Sequence, residues 1–194
     1  MRHIPLSFTR LAAAYPDHTR FPTPDLLESI GGEVRQSVRD GDNSCAVRMS
    51  YTLNHAGAPV QRVAGDIFWR KGAPHVDPAT ARHAHATMVR DLFVIRVADV
   101  KKYLTRKYGE GTLIWDGHHP ATFKVPFSGV TQGIVVFDWQ GPIIGPAGFG
   151  ATGHADLFRL VLSPGTPPMY TPVCVGECYW QQGPMYAYLW ETNP

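Results

Sequence analysis

Asn43-Ser44-Cys45-Ala46-Val47-Arg48-Met49-Ser50-Tyr51-Thr52-Leu53-Asn54 holds both a helix start and a thiol. It follows Asp40-Gly41-Asp42, a cluster whose side chains favour turns and caps over regular structure. Ala46, Val47, Met49, Leu53 and Ala56 then recur at helical spacing, and Gly57 suits a left-handed stop. The pattern predicts a helix from Cys45 to Ala56, buried on one side. A thiol in its first turn faces unpaired backbone N–H groups and the positive end of the helix dipole, which favour thiolate over thiol.

Upstream, the chain also reads as helical. Ser7 to Ala14 carries Phe8, Leu11 and Ala12 on one side and ends at Tyr15-Pro16. Thr23-Pro24-Asp25-Leu26-Leu27-Glu28 places a capping threonine before a proline, and Gly31-Gly32 closes that segment. From Ala58 to Thr87 prolines and glycines interrupt every period, so a surface loop region is expected, with Asp66 to Arg70 its one short regular piece. Leu92 to Val97 reads as a strand. Ala98 to Tyr108 reads as a helix with Val100, Tyr103, Leu104 and Tyr108 inward and Gly109 as its stop.

The last third reads as sheet. Gly133 to Trp139 is a β-branched and aromatic run, Gly141 to Gly150 a connecting loop, and Tyr186 to Trp190 a further strand. Along His154 to Leu162, alternation puts His154, Asp156 and Phe158 on one face and Ala155 and Leu157 on the other. Helices over about 1–110 and strands over about 130–194 predict an α+β fold in a single catalytic domain spanning 1–194.

Composition narrows the function. The 194 residues carry 18 Lys+Arg against 16 Asp+Glu, scattered along the chain, which argues against nucleic-acid and membrane binding. No apolar run near the start is long enough for a secretory signal or a membrane span. The three cysteines divide into Cys45 alone and Cys174 with Cys178.

Cys45 and His154 form the constellation that carries chemistry. A histidine opposite an activated thiol takes its proton and later protonates the amine leaving a cleaved amide. The competing reading is a buried core thiol and a structural histidine, both common.

Residues 43–54 resemble the nucleophile signature of family 4 of the type VI secretion amidase effectors, roughly Asn-x-Cys-Ala-x-Arg-x-Ser-x-x-Leu-Asn. Further matching stretches are Phe93 to Val97 with Tyr103-Leu104, Gly133 to Phe137, Ala151-Thr152-Gly153-His154, and the Cys174/Cys178 pair followed by an aromatic. The resemblance implies a papain-like, NlpC-type cysteine hydrolase, an antibacterial toxin that cleaves the γ-D-glutamyl–meso-diaminopimelate bond of peptidoglycan stem peptides. It further implies Cys45 as nucleophile, His154 as base, and no metal or organic cofactor. A cognate immunity protein, the secretion apparatus, synthesis in the cytoplasm without a signal peptide and delivery into a target cell's periplasm also follow from it.

One position departs from the family. The aspartate that would orient the histidine lies between the two late cysteines, where this chain has Cys174-Val175-Gly176-Glu177-Cys178, with Gly176 at the expected place. Glu177 is the first candidate to replace it and Asp156 the alternative, since residues two apart on a strand are not ideally placed for a close bond. Cys174 and Cys178 are close enough in sequence for a disulfide clamping this loop, with reduced thiols or a zinc site as the competing readings. His83, His85, His118 and His119 read as loop residues. Asn43 and Ser44 are expected to cap the nucleophile helix and to help hold substrate, the Cys45 N–H to serve an oxyanion, Arg48 to form an ion pair, and Asp138 and Trp139 to line the cleft. Two other functions remain open: a catalytically dead relative acting as a binding module, motivated by the missing aspartate, and a cysteine peptidase or acyltransferase on another substrate.

Overall fold

The computed structural model describes residues 3–73, 75–76, 88–89, 91–117, 132–144, 150–163, 169–176 and 185–193. The helices among them are α1 (Phe8–Ala14), α2 (Thr23–Ile30), α3 (Gly32–Ser37), α4 (Cys45–Ala56) and α5 (Val97–Tyr108). A six-stranded sheet is formed by β1 (Ile4–Ser7), β6 (Thr112–Asp116), β7 (Gln132–Ile144), β8 (Gly150–Ser163), β9 (Met169–Cys174) and β10 (Met185–Asn193). Two small ladders pair β2 (Trp69–Lys71) with β5 (Leu92–Val94) and β3 (His75–Val76) with β4 (Met88–Val89).

The sheet runs in the order β1-β10-β7-β8-β9, with β6 also on β10. Its pairings are antiparallel except that β1 runs parallel to β10. Sequence separation hides that parallel pair, because its partners come from the two ends of the chain. Within the stretch expected as a loop from Gly141 to Gly150, the described residues 141–144 and 150 lie in strands. Strand β7 runs on to Ile144, and Ile143 and Ile144 pair with Ala151 and Gly150. Hydrogen-bonded pairing across a hairpin overrides weak strand propensity in such a segment.

Helix α4 spans the predicted residues, and Gly57 closes it at φ 99°, ψ 17°, a left-handed conformation glycine adopts without a Cβ penalty. It is not buried on one side only. Met49 and Leu53 pack with Ile134, Val136, Ala155 and Leu157 of the sheet, while Val47 packs with Leu26, Leu27, Ile30 and Val34 of α2 and α3. Each such buried aliphatic side chain contributes about 1.5–3 kcal/mol. Polar residues tie the same helix to β5. The Ser50 hydroxyl donates to the Val94 carbonyl at 3.0 Å and accepts the Val94 N–H at 2.9 Å, and Asn54 Nδ2 donates to the Leu92 carbonyl at 3.1 Å.

Short elements passed unread in the sequence. Gly31 closes α2 as expected, and helix α3 follows directly, with Gly31 and Gly32 both at φ 59° forming the joint. Position Pro22, and not Thr23, caps α2; the Thr23 hydroxyl goes to Ser44 and Arg48. Val60 and Ile67, in the segment expected as a surface loop, are buried in the main core.

Candidate active site

Cys45 is the first residue of α4, and His154 lies in β8. Asn43 fastens the two elements together. Its Oδ1 accepts the Cys45 N–H at 3.0 Å, and its Nδ2 donates to the carbonyl of Gly153, the residue before His154, at 3.4 Å. Of the two residues expected to cap the helix, Asn43 does so and Ser44 does not, its side chain making no cap bond. The Ser44 hydroxyl instead accepts from Arg48 Nε at 3.0 Å and pairs with Thr23 Oγ1 at 3.0 Å. Because the Cys45 N–H is already held by Asn43, it can serve an oxyanion only by giving up or sharing that bond.

The structure brings Cys45, His154 and Asp156 together. His154 Nε2 is 3.5 Å from Asp156 Oδ2, and the imidazole is hydrogen-bonded to Cys45. Burial acting alone would lower the His154 pKa. The Cys45 charge, the hydrogen bonds to Asp156 and Cys45, and the Asp156 charge outweigh it, and His154 is pushed up to about 9. The Phe137 ring, directly across the ladder, sits 6.0 Å from the imidazole centroid. The site is closely covered: Cys45 is 1% exposed and His154 4%.

Asp156, kept as the alternative though not ideally placed for a close bond, stands within ion-pair range of His154, 3.5 Å away. Long side chains on a strand lean along it, and an imidazole spans the gap to a carboxylate two residues on. That carboxylate is itself held: Oδ1 accepts the Leu157 N–H at 2.6 Å, and the Gly176 N–H points at both oxygens, 3.2 and 3.0 Å away. A Cβ on Gly176 would fall 2.6 Å from Asp156 Oδ2 and 3.0 Å from the Tyr15 hydroxyl. The Asp156 carboxylate thus fills the space beside the loop that a side chain at 176 would claim. Glu177 and Cys178 lie outside the described residues, as do His83, His85, His118 and His119. Cys45 is the free cysteine among the described residues.

Tyr15 is the residue that sequence reasoning missed. It was visible only as the end of α1, yet its hydroxyl faces Asp156, and burial first, then the charges of Asp156 and Cys45, raise its pKa strongly. Arg48 was expected in an ion pair. Fully buried, it donates to the carbonyls of Pro16 and Phe21 and to the hydroxyls of Ser44 and Thr23, and it forms no ion pair among the described residues. This cage joins α4 to the chain between α1 and α2, where Tyr15 lies.

Asp138 and Trp139 sit apart from the pair. Asp138 forms a 2.6 Å ion pair with Lys101, and Trp139 is buried in a second core cluster with Val135, Phe137 and Phe158. Both line a cavity of about 520 Å³ bordered by α5, whose walls include neither Cys45 nor His154. Among the described residues no helix is long and apolar enough to cross a membrane.

Known proteins share this arrangement of elements. The structure is similar to the effector Tae4 from Salmonella typhimurium solved with the immunity Tai4 from Enterobacter cloacae, at 23% identity and TM-score 0.63, covering 97% of this chain and 99% of that one. It is equally similar to Tae4 from Enterobacter cloacae, solved alone (22% identity, TM-score 0.63, all of both chains). The same effector in complex with Tai4 gives 21% identity and TM-score 0.63, over 98% of this chain and all of that one. No curated protein matches the sequence. The model of one family matches residues 42–170, a range that takes in Cys45, His154 and Asp156 and stops before Cys174. On that match the chain belongs to the type VI secretion system amidase effector protein 4 family, Tae4.

Proposed function

We propose that this amidase effector is a papain-like, NlpC-type cysteine hydrolase, one catalytic domain that cleaves the γ-D-glutamyl–meso-diaminopimelate amide of peptidoglycan stem peptides in a target cell's periplasm. Cys45 is the nucleophile, His154 the acid and base, and Asp156 the group that orients and charges His154. The observation that carries this reading is the coupling of His154 to both neighbours: hydrogen-bonded to Cys45, 3.5 Å from Asp156, and raised to about 9. An imidazole held protonated beside sulfur is poised as an ion pair.

The chemistry proceeds in two steps. Sulfur attacks the γ-carbonyl carbon, the C–N bond breaks, and His154 gives its proton to the departing amine, leaving a thioester on Cys45. Water then attacks the thioester, His154 takes its proton, and the γ-carboxylate leaves as the thiol is restored. Asp156 favours one orientation of the ring: with Nε2 turned to the carboxylate, Nδ1 is left for the sulfur. The reaction draws on no metal or organic cofactor. Cys174, unlike Cys45, is not a free cysteine, which supports a Cys174–Cys178 disulfide closing the loop behind Asp156. An immunity protein that covers the site is the natural partner; the similar Tae4 proteins are solved in effector–immunity complexes with Tai4.

A second reading, a catalytically inactive binding module, draws on the near-complete burial of Cys45 and on Gly176 at the family's aspartate position. Digestion of purified peptidoglycan followed by mass analysis of the fragments separates the two. Release of new diaminopimelate amines by the wild type and not by Cys45→Ala supports the hydrolase; intact peptidoglycan with both proteins overturns it. Products cut at another peptide bond would instead identify a cysteine peptidase with a different substrate.

A further inference from the structure

Asn43, which fastens Cys45 to the strand of His154, also lines a cavity of about 460 Å³ whose other walls include Ser37, Asp42, Phe68, Arg70 and Arg96. Two cations meet there on one aromatic ring. The Arg70 guanidinium lies 3.7 Å from the Phe68 ring centroid and that of Arg96 4.3 Å. Stacking fixes a guanidinium plane without consuming its N–H donors, so the fork stays available to a planar anion. Arg70 spends Nε on Ser37 Oγ at 2.6 Å and Nη1 on the Trp69 carbonyl at 3.1 Å, which leaves Nη2. Arg96 makes no side-chain hydrogen bond among the described residues, and neither arginine forms an ion pair among them. The one carboxylate in the wall, Asp42, accepts the N–H of Arg39 at 2.8 Å and pairs with neither guanidinium.

We propose that this cavity is a subsite for a free carboxylate of the substrate, gripped by Arg70 and Arg96 beside the scissile bond. Like charges held together with no counter-ion among the described residues leave an electrostatic cost that an incoming anion removes. The ligand's identity rests on the hydrolase reading above. A γ-glutamyl linkage leaves the glutamyl α-carboxylate free only a few bonds from the carbonyl that Cys45 attacks, and a diaminopimelyl carboxylate lies on the other side of the same bond. Either is the planar anion this pair fits, and Asn43, two residues before Cys45 and bonded to its N–H, forms part of the wall.

The test uses three synthetic stem tetrapeptides: the free acid, the form amidated at the D-glutamyl α-carboxylate, and the form amidated at the diaminopimelyl carboxylate. Binding to the full chain carrying Cys45→Ala is measured by calorimetry, with wild-type cleavage rates alongside. Amidating the recognised carboxylate is expected to weaken binding about tenfold, and R70Q or R96Q to weaken binding of the free acid about tenfold while erasing the difference between peptides. R70K and R96K keep charge without the fork and are expected to fall between. Whichever amidation matters identifies the residue recognised. Equal affinity for all three peptides, no binding at all, or a discrimination that survives in an R96Q protein with wild-type melting overturns the subsite. Wild type that binds with this discrimination but cleaves nothing defeats the hydrolase reading alone; cleavage without discrimination defeats the subsite alone.

Discussion

His154 Nε2 and Asp156 Oδ2 lie 3.5 Å apart, on residues separated by only two positions of one strand. The loop after β9 completes the arrangement from the other side: Gly176 offers its N–H to the same carboxylate and no Cβ to displace it. A carboxylate supplied by the strand thereby stands beside the loop position at which the resemblance leads one to expect an aspartate.

The exchange of positions is directly testable. Asp156→Asn is expected to lower kcat by about 10²- to 10⁴-fold with a smaller change in KM, as loss of a charge that orients an imidazole does. Gly176→Asp alone is expected to impair the protein, since its Cβ would meet Asp156 Oδ2 at 2.6 Å. Combined with Asp156→Ala, which empties that space, the same substitution should recover activity. Steady-state kinetics of the single and double variants check this, and a double variant no better than Asp156→Ala would remove Asp156 from the role.

His154 ties stability to pH. Its folded pKa of about 9 exceeds the ordinary 6.5, so the folded protein holds more protons than the unfolded chain between those values. The stabilisation is complete below about pH 6.5 and is lost as pH rises through about 9. Cys45→Ala removes the strongest contribution that raises the pKa and leaves burial opposing it, so His154 should titrate lower in that variant. Carbon-13 labelling of the imidazole, followed by NMR across pH 5 to 10, reads both predictions; identical curves in the two proteins would contradict the coupling.

On the proposed reading, Tyr15 acts on the histidine through Asp156. Tyr15→Phe deletes the hydroxyl that faces the carboxylate and leaves the ring in its buried site. Activity is expected to fall several-fold, as loss of a buried hydroxyl facing the carboxylate removes its influence on that charge. The pH–rate profile should move with it, whereas a merely structural role would shift the melting temperature and leave the profile in place.

Arg48 is a matter of stability. Its guanidinium satisfies carbonyls and hydroxyls from the segment between α1 and α2, so Arg48→Met leaves several buried acceptors without donors. A loss of about 2–4 kcal/mol is expected in urea denaturation. Arg48→Lys should restore little, because a single ammonium cannot reach acceptors spread around a planar fork.

Local features were legible in the residues. A cap cluster at 40–44, helical spacing of apolar residues and Gly57 delimit α4 because each acts within a turn or two of the chain. The alternation of β8 places His154 and Asp156 on one face for the same reason. The short α3, the parallel β1/β10 pair and the paired end of β7 escaped because tertiary partners stabilise them and local propensity does not.

What the sequence determined by itself is the chemistry available: a thiol at a helix start, a histidine on a distant strand and a family signature around the thiol. What only the tertiary structure decided is which groups surround them. Asp156 reaches His154, Gly176 leaves room for it, Tyr15 faces it, and Arg48 is caged by carbonyls in place of a carboxylate. Those relationships depend on angles between α4, β8 and the loop after β9, which are set by packing of the whole core. No spacing along the chain encodes such angles, because residues far apart in sequence meet only when every intervening element has docked.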